Sequence, residues 1–399
     1  MRKDKSAKAQ RHEGAKWNVS SFLSCIRAFG RSRHFIINIT KFMLYVFLLL
    51  WPIAGIAQAQ KLSATVFDKK NQEPVAGVHV YLDGSSLYDV TNANGKFEIK
   101  APSMLALPLV ISHISYQTKV ISNPFTSLPD TIFVDEKENL LGEITVQAGK
   151  YSRRQLLNAF RTEFLGSSTG AKSCIIENEN KIDLWYNSQT NTLFASCDEP
   201  VMIHNRFLGY RIYVRLNKFE MEYTSRKFGV GQPVVFFECT SYFMDLAPSN
   251  KNITNRREFI LEGSSRHFLY ALANSSLDAF GYNLYLENEK FPTPFLECFT
   301  VTDSLGLKNV LIDNRLRPKD IPVYMGLPYF GRIIVKRAFQ QTELIFYTDN
   351  FLVNEWGYLN GTGDILFVGY MGALRVGDML PLDYEIVLPK QPEKGEILF

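Results

Sequence analysis

Gly77-Val78-His79-Val80-Tyr81-Leu82, followed by Thr91-Asn92-Ala93-Asn94-Gly95-Lys96-Phe97-Glu98-Ile99, is the stretch that decides the fold. Val78, Val80 and Leu82 alternate with His79, Tyr81 and Asp83, the period-2 pattern of a half-buried strand. Asn92-Ala93-Asn94-Gly95 reads as a turn, with Gly95 supplying the positive φ. Beyond it Phe97 and Ile99 point inward between Lys96, Glu98 and Lys100. Upstream, Leu62-Ser63-Ala64-Thr65-Val66-Phe67 is β-rich and ends at Asp68 in a polar turn. Downstream, strands are expected over Leu109–Ser115, Tyr116–Ile121, Thr131–Val134 and Ile144–Val146. Seven short strands separated by turns predict a β-sandwich over residues 60–148.

Before this module lies an uncharged run, Phe42 to Ala57, flanked by Arg31, Arg33 and Lys41. At sixteen residues it is short of the ~20 needed to span a bilayer as a helix. Ala57 and Ala59 fit the small positions of a signal-peptidase site, so cleavage is expected before Gln60 and residues 1–59 read as an N-terminal extension with a signal peptide. The stretch before the apolar core is longer than usual, as an early-placed start codon would explain. The alternative is an uncleaved anchor, which Pro52 and Gly55 disfavour by interrupting the run. Because no cysteine directly follows the apolar core, a lipoprotein anchor is not expected. The leader holds ten Lys/Arg against two Asp/Glu, so the whole chain's +4 becomes about −4 once it is removed. Nucleic-acid binding needs a basic stripe, and the folded part has none.

Residues 61–148 resemble the carboxypeptidase-regulatory-like module, a transthyretin/Ig-like sandwich common in Bacteroidota envelope proteins. The matching motifs are Gly77-Val78-His79-Val80, Thr91-Asn92-Ala93-Asn94-Gly95-Lys96-Phe97, Ser115-Tyr116 and the closing Leu141-Gly142-Glu143-Ile144-Thr145-Val146. Asn92 replaces the family's Asp, and Ser115 replaces a Gly. Relatives often carry this module ahead of a TonB-dependent transporter, but the ~250 residues that remain here are too few for a 22-stranded barrel with its plug. Phe160 to Gly166, Ala171 to Ile175 and Glu262 to Leu269 resemble segments found C-terminal to the sandwich in other proteins of this kind. That group is named after its first module, so the likeness adds no chemistry.

From residue 151 to 399 the pattern predicts a β-rich α+β domain. Leu156, Leu157, Phe160 and Phe164 share a helical face, with Gly166 as C-cap. Ile182–Trp185 and Thr192–Ser196 read as a hairpin. Strands are expected over Tyr210–Leu216, Phe219–Tyr223, Val234–Tyr242, Ile333–Phe339, Leu344–Tyr347 and Ile365–Tyr370. A second helix is expected between Ser264 and Phe280, with Leu261, Ser265, Phe268 and Leu272 as its buried stripe. Cys174, Cys197, Cys239 and Cys298 stand 23, 42 and 59 residues apart, without a Cys-x-x-Cys pair. Disulfides and buried thiols both fit them.

No compact motif names a reaction. A zinc carboxypeptidase needs His-x-x-Glu, yet Leu82, Tyr116, Phe207 and Tyr270 stand three places after His79, His113, His204 and His267. Gly166-Ser167-Ser168-Thr169-Gly170 matches Gly-x-Ser-x-Gly, but a nucleophile elbow runs from strand to helix and this one comes after a helix. The polar cluster at Arg256, Arg257, Arg266 and His267 is the best concentration of chemistry. On a helix Gly263, Arg266 and His267 would share a face, where Arg266 could hold a carboxylate or sugar and His267 could act as base. The competing reading has Arg and His satisfying backbone carbonyls. Trp185, Tyr186, Tyr210, Tyr213, Tyr223, Phe236, Phe237, Tyr242 and Phe243 either line a sugar-stacking face or pack as core and cross-strand pairs.

The expectation is an exported, non-enzymatic envelope protein, periplasmic or at the outer membrane or cell surface. It would need no cofactor, and its partner would be a protein or glycan, with Arg257, Arg266, His267, Trp185 and Tyr210 as candidate contacts. The alternatives are a small outer-membrane barrel formed by 151–399, suggested by the aromatic strands and terminal Phe399, and a periplasmic hydrolase using Arg266 and His267.

Overall fold

The computed structural model describes residues 59–387, apart from 103–106, 138–149, 224, 226–227, 232, 288, 305, 318–322, 325 and 362. The expected leader, the closing strand at 144–146 and Phe399 lie outside the described residues. What is described is mainly β.

Seven strands make the first module: β1 (Ala59–Asp68), β2 (His79–Leu82), β3 (Tyr88–Val90), β4 (Lys96–Pro102), β5 (Leu109–His113), β6 (Tyr116–Ile121) and β7 (Thr131–Val134). They form two sheets, ordered β4-β1-β7 and β3-β2-β5-β6, with β1 and β7 parallel. The inward set Leu62, Val66, Val80, Leu82, Phe97, Ile99, Leu109, Ile111, Ile132 and Val134 is buried as one core. Strand β3 is not among those the sequence pattern predicts, being only three residues long and part-exposed.

The quoted motif explains itself in three dimensions. Gly95 sits at φ +71°, and a Cβ there would come within 2.5 Å of the Val66 carbonyl. The Asn92 side chain accepts from the N–H groups of Asn94 and Lys96, which any side-chain oxygen at this position can do, so Asn serves in place of Asp. The buried Thr91 hydroxyl accepts from Val78 N–H and donates to Val75 O, tying the turn to β2. At the other departure, Ser115 lies in the β5–β6 turn, while Tyr116 donates its hydroxyl to Asp68.

The rest of the chain wraps a larger core. Strands β8 (Cys174–Ile176), β9 (Asp183–Asn187), β10 (Thr192–Ser196), β11 (Val201–Asn205), β12 (Tyr210–Tyr223) and β13 (Pro233–Asp245) form one sheet, ordered β8-β11-β12-β10-β9 with β13 pairing β12. The two strands expected at 210–216 and 219–223 are one, kinked where the register slips between Leu216 and Lys218. The Arg153–Leu165 helix covers one face. Its N-terminus carries a Ser152–Gln155 capping box, Gly166 closes it at φ +98°, and Phe160 and Phe164 pack on Phe219.

The expected 264–280 helix is shorter and has a partner. Helices run Lys251–Leu261 and Ser265–Ala273, separated by Gly263 at φ +82° and restarted by Ser264 as N-cap. Ser275, at φ +51°, turns the chain away before Phe280. Strands β14 (Asn283–Tyr285), β15 (Phe299–Ser304), β16 (Leu307–Ile312), β17 (Val323–Tyr324), β18 (Leu327–Pro328), β19 (Gly331–Arg337), β20 (Gln340–Phe346), β21 (Asn350–Val353) and β22 (Ile365–Gly369) complete the fold. They make sheets ordered β14-β19-β20-β22, β15-β16-β21 and β17-β18. The strands after residue 150 are thus divided among several sheets, and none of these orders closes on itself among the described residues, so the arrangement gives the barrel reading no support. The four cysteines of this region are free thiols.

Candidate functional site

Of the three arginines singled out from the sequence, Arg256 lies over the Phe207 ring at the surface, and Arg257 and Arg266 hold the fold. Arg257 is buried, donating to the carbonyls of Leu208 and Gly209 and gripping both Asp245 carboxylate oxygens at 2.7 and 2.8 Å. Its guanidinium lies 3.8 Å from the centre of the Tyr210 ring, which is itself buried. Arg266 donates to the carbonyls of Trp356, Pro381 and Tyr384, at 3.1, 3.2 and 2.6 Å. Guanidinium donors occupied this way are not free for a sugar or carboxylate.

His267 sits in the same helix but faces other partners. Its Nδ1 lies 2.7 Å from the Tyr282 hydroxyl, and the ring packs edge-on against Phe280. Burial, with Arg337 and Arg266 nearby, pushes its pKa down to about 4. The imidazole is therefore neutral, and the one hydroxyl it meets, that of Tyr282, is buried with it, so the pair faces core rather than an open site. Gly263 lies outside the helix and does not share its face; a Cβ there would strike the Gln340 side chain. In the Gly-x-Ser-x-Gly loop, Ser168 caps a short helix, Thr169–Lys172, and donates to Asp378 at 2.5 Å, with no imidazole between them.

The aromatics divide by strand parity. Tyr210, Tyr223 and Phe243 are buried, and Tyr186 and Phe237 pack against the core. Tyr213 and Tyr242 stack at 4.5 Å on the opposite face of the sheet. The sandwich covers that end: His79 Nδ1 lies 2.8 Å from the Tyr242 hydroxyl, Tyr81 bonds Thr240, and Tyr81 and Tyr88 pack on the Tyr242 ring. The turn after β2 docks on the β13 edge, with Gly84 N–H donating to Ser241 O and Phe243 N–H donating to Ser85 O. Asp83 accepts from Ser241 N–H at 2.8 Å, and burial pushes its carboxyl up to about 6 against that bond.

Past the kink in β12 the same face is open. Register places Trp185 beside Phe194, Phe194 beside Glu220, and Glu220 beside Phe236, one row crossing β9, β10, β12 and β13. Trp185 and Phe194 stack nearly parallel, 5.5 Å apart. Phe236 is 53 % exposed, and Val234 beside it is also solvent-facing. Lys218 reaches over the Phe236 ring and sits 3.1 Å from Glu220, while Glu222 and Glu238 flank the row. Of the five candidates, only Trp185 belongs to this open surface; sequence reasoning does not find Phe194, Lys218 and Glu220. The alternation of Leu193 and Ala195 around Phe194 marks it as outward-facing, but the row itself depends on pairing between distant strands.

Residues 62–146 match the CarboxypepD_reg-like domain family, a non-catalytic module. No curated protein matches the chain. Among solved structures, a chain of a type II cohesin–X–dockerin complex from Acetivibrio cellulolyticus matches at 24% identity and TM-score 0.15, covering 19% of this chain and 51% of that one. A 9R-lipoxygenase from Cyanothece PCC8801 matches at 10% identity and TM-score 0.16, covering 55% and 49%. The chain therefore spans about half the length of either structure, and superpositions this loose carry no argument.

Proposed function

We propose that this is an exported, non-enzymatic protein of the cell envelope whose second region binds a glycan on the open half of its central sheet. The observation that carries this reading is the solvent-facing row Trp185–Phe194–Glu220–Phe236. Sugar rings offer an apolar C–H face and a rim of hydroxyls. Aromatic rings suit the first, and carboxylates and an ammonium suit the second. Export rests on the apolar run and Ala57-Gln58-Ala59, and the accessory role on the non-catalytic first module. Glycan-array binding by the purified protein, lost on Phe236→Ser and on Trp185→Ala with the fold intact, tests the proposal; unchanged binding in both variants rejects the site.

A protein partner is the second reading. Between Pro233 and Cys239 the edge of β13 away from β12 pairs with no strand among the described residues, and such an edge can take an added strand. Competition by an extended peptide, insensitive to Phe236→Ser, would favour it.

A further inference from the structure

Strand β13 is an edge of the central sheet, and the two halves of that edge differ. Toward its C-terminal end Ser85 forms a parallel bridge with Tyr242, so the turn after β2 already lies against the edge as a short added strand. Gly84 N–H donates to Ser241 O and Phe243 N–H to Ser85 O, so Ser241 and Phe243 turn main-chain groups away from β12. The extra residue at the kink belongs to β12, and parity along β13 is kept. Val235, Phe237 and Cys239 therefore aim their N–H and C=O groups at the same edge, where no strand among the described residues meets them.

This half of the edge lacks the usual guards against pairing. From Pro233 to Cys239 it has no lysine, no proline past the first residue and no bulge of its own, and Glu238 is its one charge. Val234 and Phe236 stand 41 % and 53 % exposed along it.

We infer that this edge pairs antiparallel with the same edge of a second copy of the chain, about a two-fold axis at Phe236. The pairing continues a contact that the edge already makes with Ser85. It sets Val235 opposite Phe237 of the other copy, so each such pair exchanges both main-chain bonds. Pro233, which has no N–H to give, falls opposite Cys239 at the margins. On the solvent face Phe236 meets Phe236, an aromatic cross-strand pair, and Glu238 lies beside Val234. The two Glu238 carboxylates then stand roughly 14 Å apart along the strands, beyond the screening length of about 8 Å. Because directly opposed residues share a face, the two open rows meet at Phe236 and run on through both copies. The inference gives the protein partner of the second reading an identity and rests on that reading's free edge, not on glycan binding.

Sedimentation equilibrium of the purified protein, without carbohydrate, is the first readout. One strand pair makes a small interface, so reversible dimers in the micromolar range are expected and dilute samples hold the monomer. Phe236→Lys sets two ammonium groups face to face and is expected to weaken association at least tenfold. Mild oxidation reads the register, since opposed residues of this kind hold their Cα atoms about 4.5 Å apart, within disulfide reach. Phe236→Cys is expected to cross-link to itself, Val234→Cys and Glu238→Cys only to each other when mixed, and the natural thiols not at all. All three positions face solvent, so the variants keep the core. A monomer at every concentration overturns the proposal, as does a dimer indifferent to Phe236→Lys or one that Val234→Cys alone cross-links. A monomer whose β13 edge takes an extended peptide overturns the pairing and leaves the second reading in place. A dimer that binds no sugar upholds the pairing and removes only the glycan site.

Discussion

One face of the central sheet has two environments. At the Tyr213–Tyr242 end it is covered by the sandwich, and polar tips bond across the contact: His79 meets Tyr242, Tyr81 meets Thr240, and Asp83 meets Ser241 N–H. At the Trp185–Phe236 end the same alternation continues into solvent, with aromatic rings ringed by Glu220, Glu222, Glu238 and Lys218. The covered end uses Tyr and His, whose polar tips can bond across an interface. The open end uses Phe and Trp edged by charge. Composition along one strand pair thus separates a surface buried within the chain from one left facing solvent.

The largest effect is expected behind the covered end, on the core-facing side of the sheet where Arg257 stacks on Tyr210. Arg257→Ala leaves the carboxylate of Asp245, the last residue of β13, without its ion-pair partner and the Leu208 carbonyl without its donor, while Gly209 O keeps the Leu246 N–H. A loss of about 3 kcal/mol is expected in urea melts. A loss near zero would remove Arg257 from the role of holding that end.

Asp83 gives a pH signature. Its folded pKa is raised from 3.8 to about 6, so the folded state holds the proton more tightly than the unfolded chain. Stability should therefore fall as pH rises from about 4 to 6 and stay lowered above, by roughly 2–3 kcal/mol. His79, its pKa held below 6.5 by burial, works in the opposite direction as pH falls below that value. Comparing Asp83→Asn with the natural protein isolates the carboxyl, since the amide oxygen still accepts from Ser241. The variant should be the more stable at pH 8 and equally stable near pH 3.5. Parallel pH profiles would contradict a buried, docked Asp83.

Tyr242→Phe removes one hydrogen bond from the interface and strands His79. A cost of about 1 kcal/mol is expected. Phe236→Ser, at the open end, should change stability by less than about 0.5 kcal/mol. A large loss there would mean that Phe236 packs against part of the chain, and the contrast between the two ends would fail.

The features legible in the sequence are local. The Thr91–Phe97 motif encodes its own turn through Gly95, Asn92 and Thr91, so the sandwich can be read from it directly. The Ser152–Gly166 helix carries its caps and its stripe in one segment, and it too is readable. The 251–273 region is harder, because Gly263 and Ser264 break the chain into two helices where the apolar stripe alone suggests one beginning at Ser264. Arg266 and His267 look like chemistry because they are adjacent in sequence. Their partners, Trp356, Pro381 and Tyr384 for one and Tyr282 for the other, come from distant segments. The open row is hidden for the same reason: its four members sit on four strands joined only by long-range pairing.

The most direct test is the emission of Trp185. In the chain from Gln60 onward only Trp185 and Trp356 remain, so Trp356→Phe leaves Trp185 as the reporter on the open face. The measurement is a titration with size-fractionated carbohydrate released from the host envelope, repeated with Phe236→Ser added. The account predicts a saturable change in Trp185 emission that Phe236→Ser weakens at least tenfold. Emission unmoved by every fraction, or a change indifferent to Phe236→Ser, would contradict it.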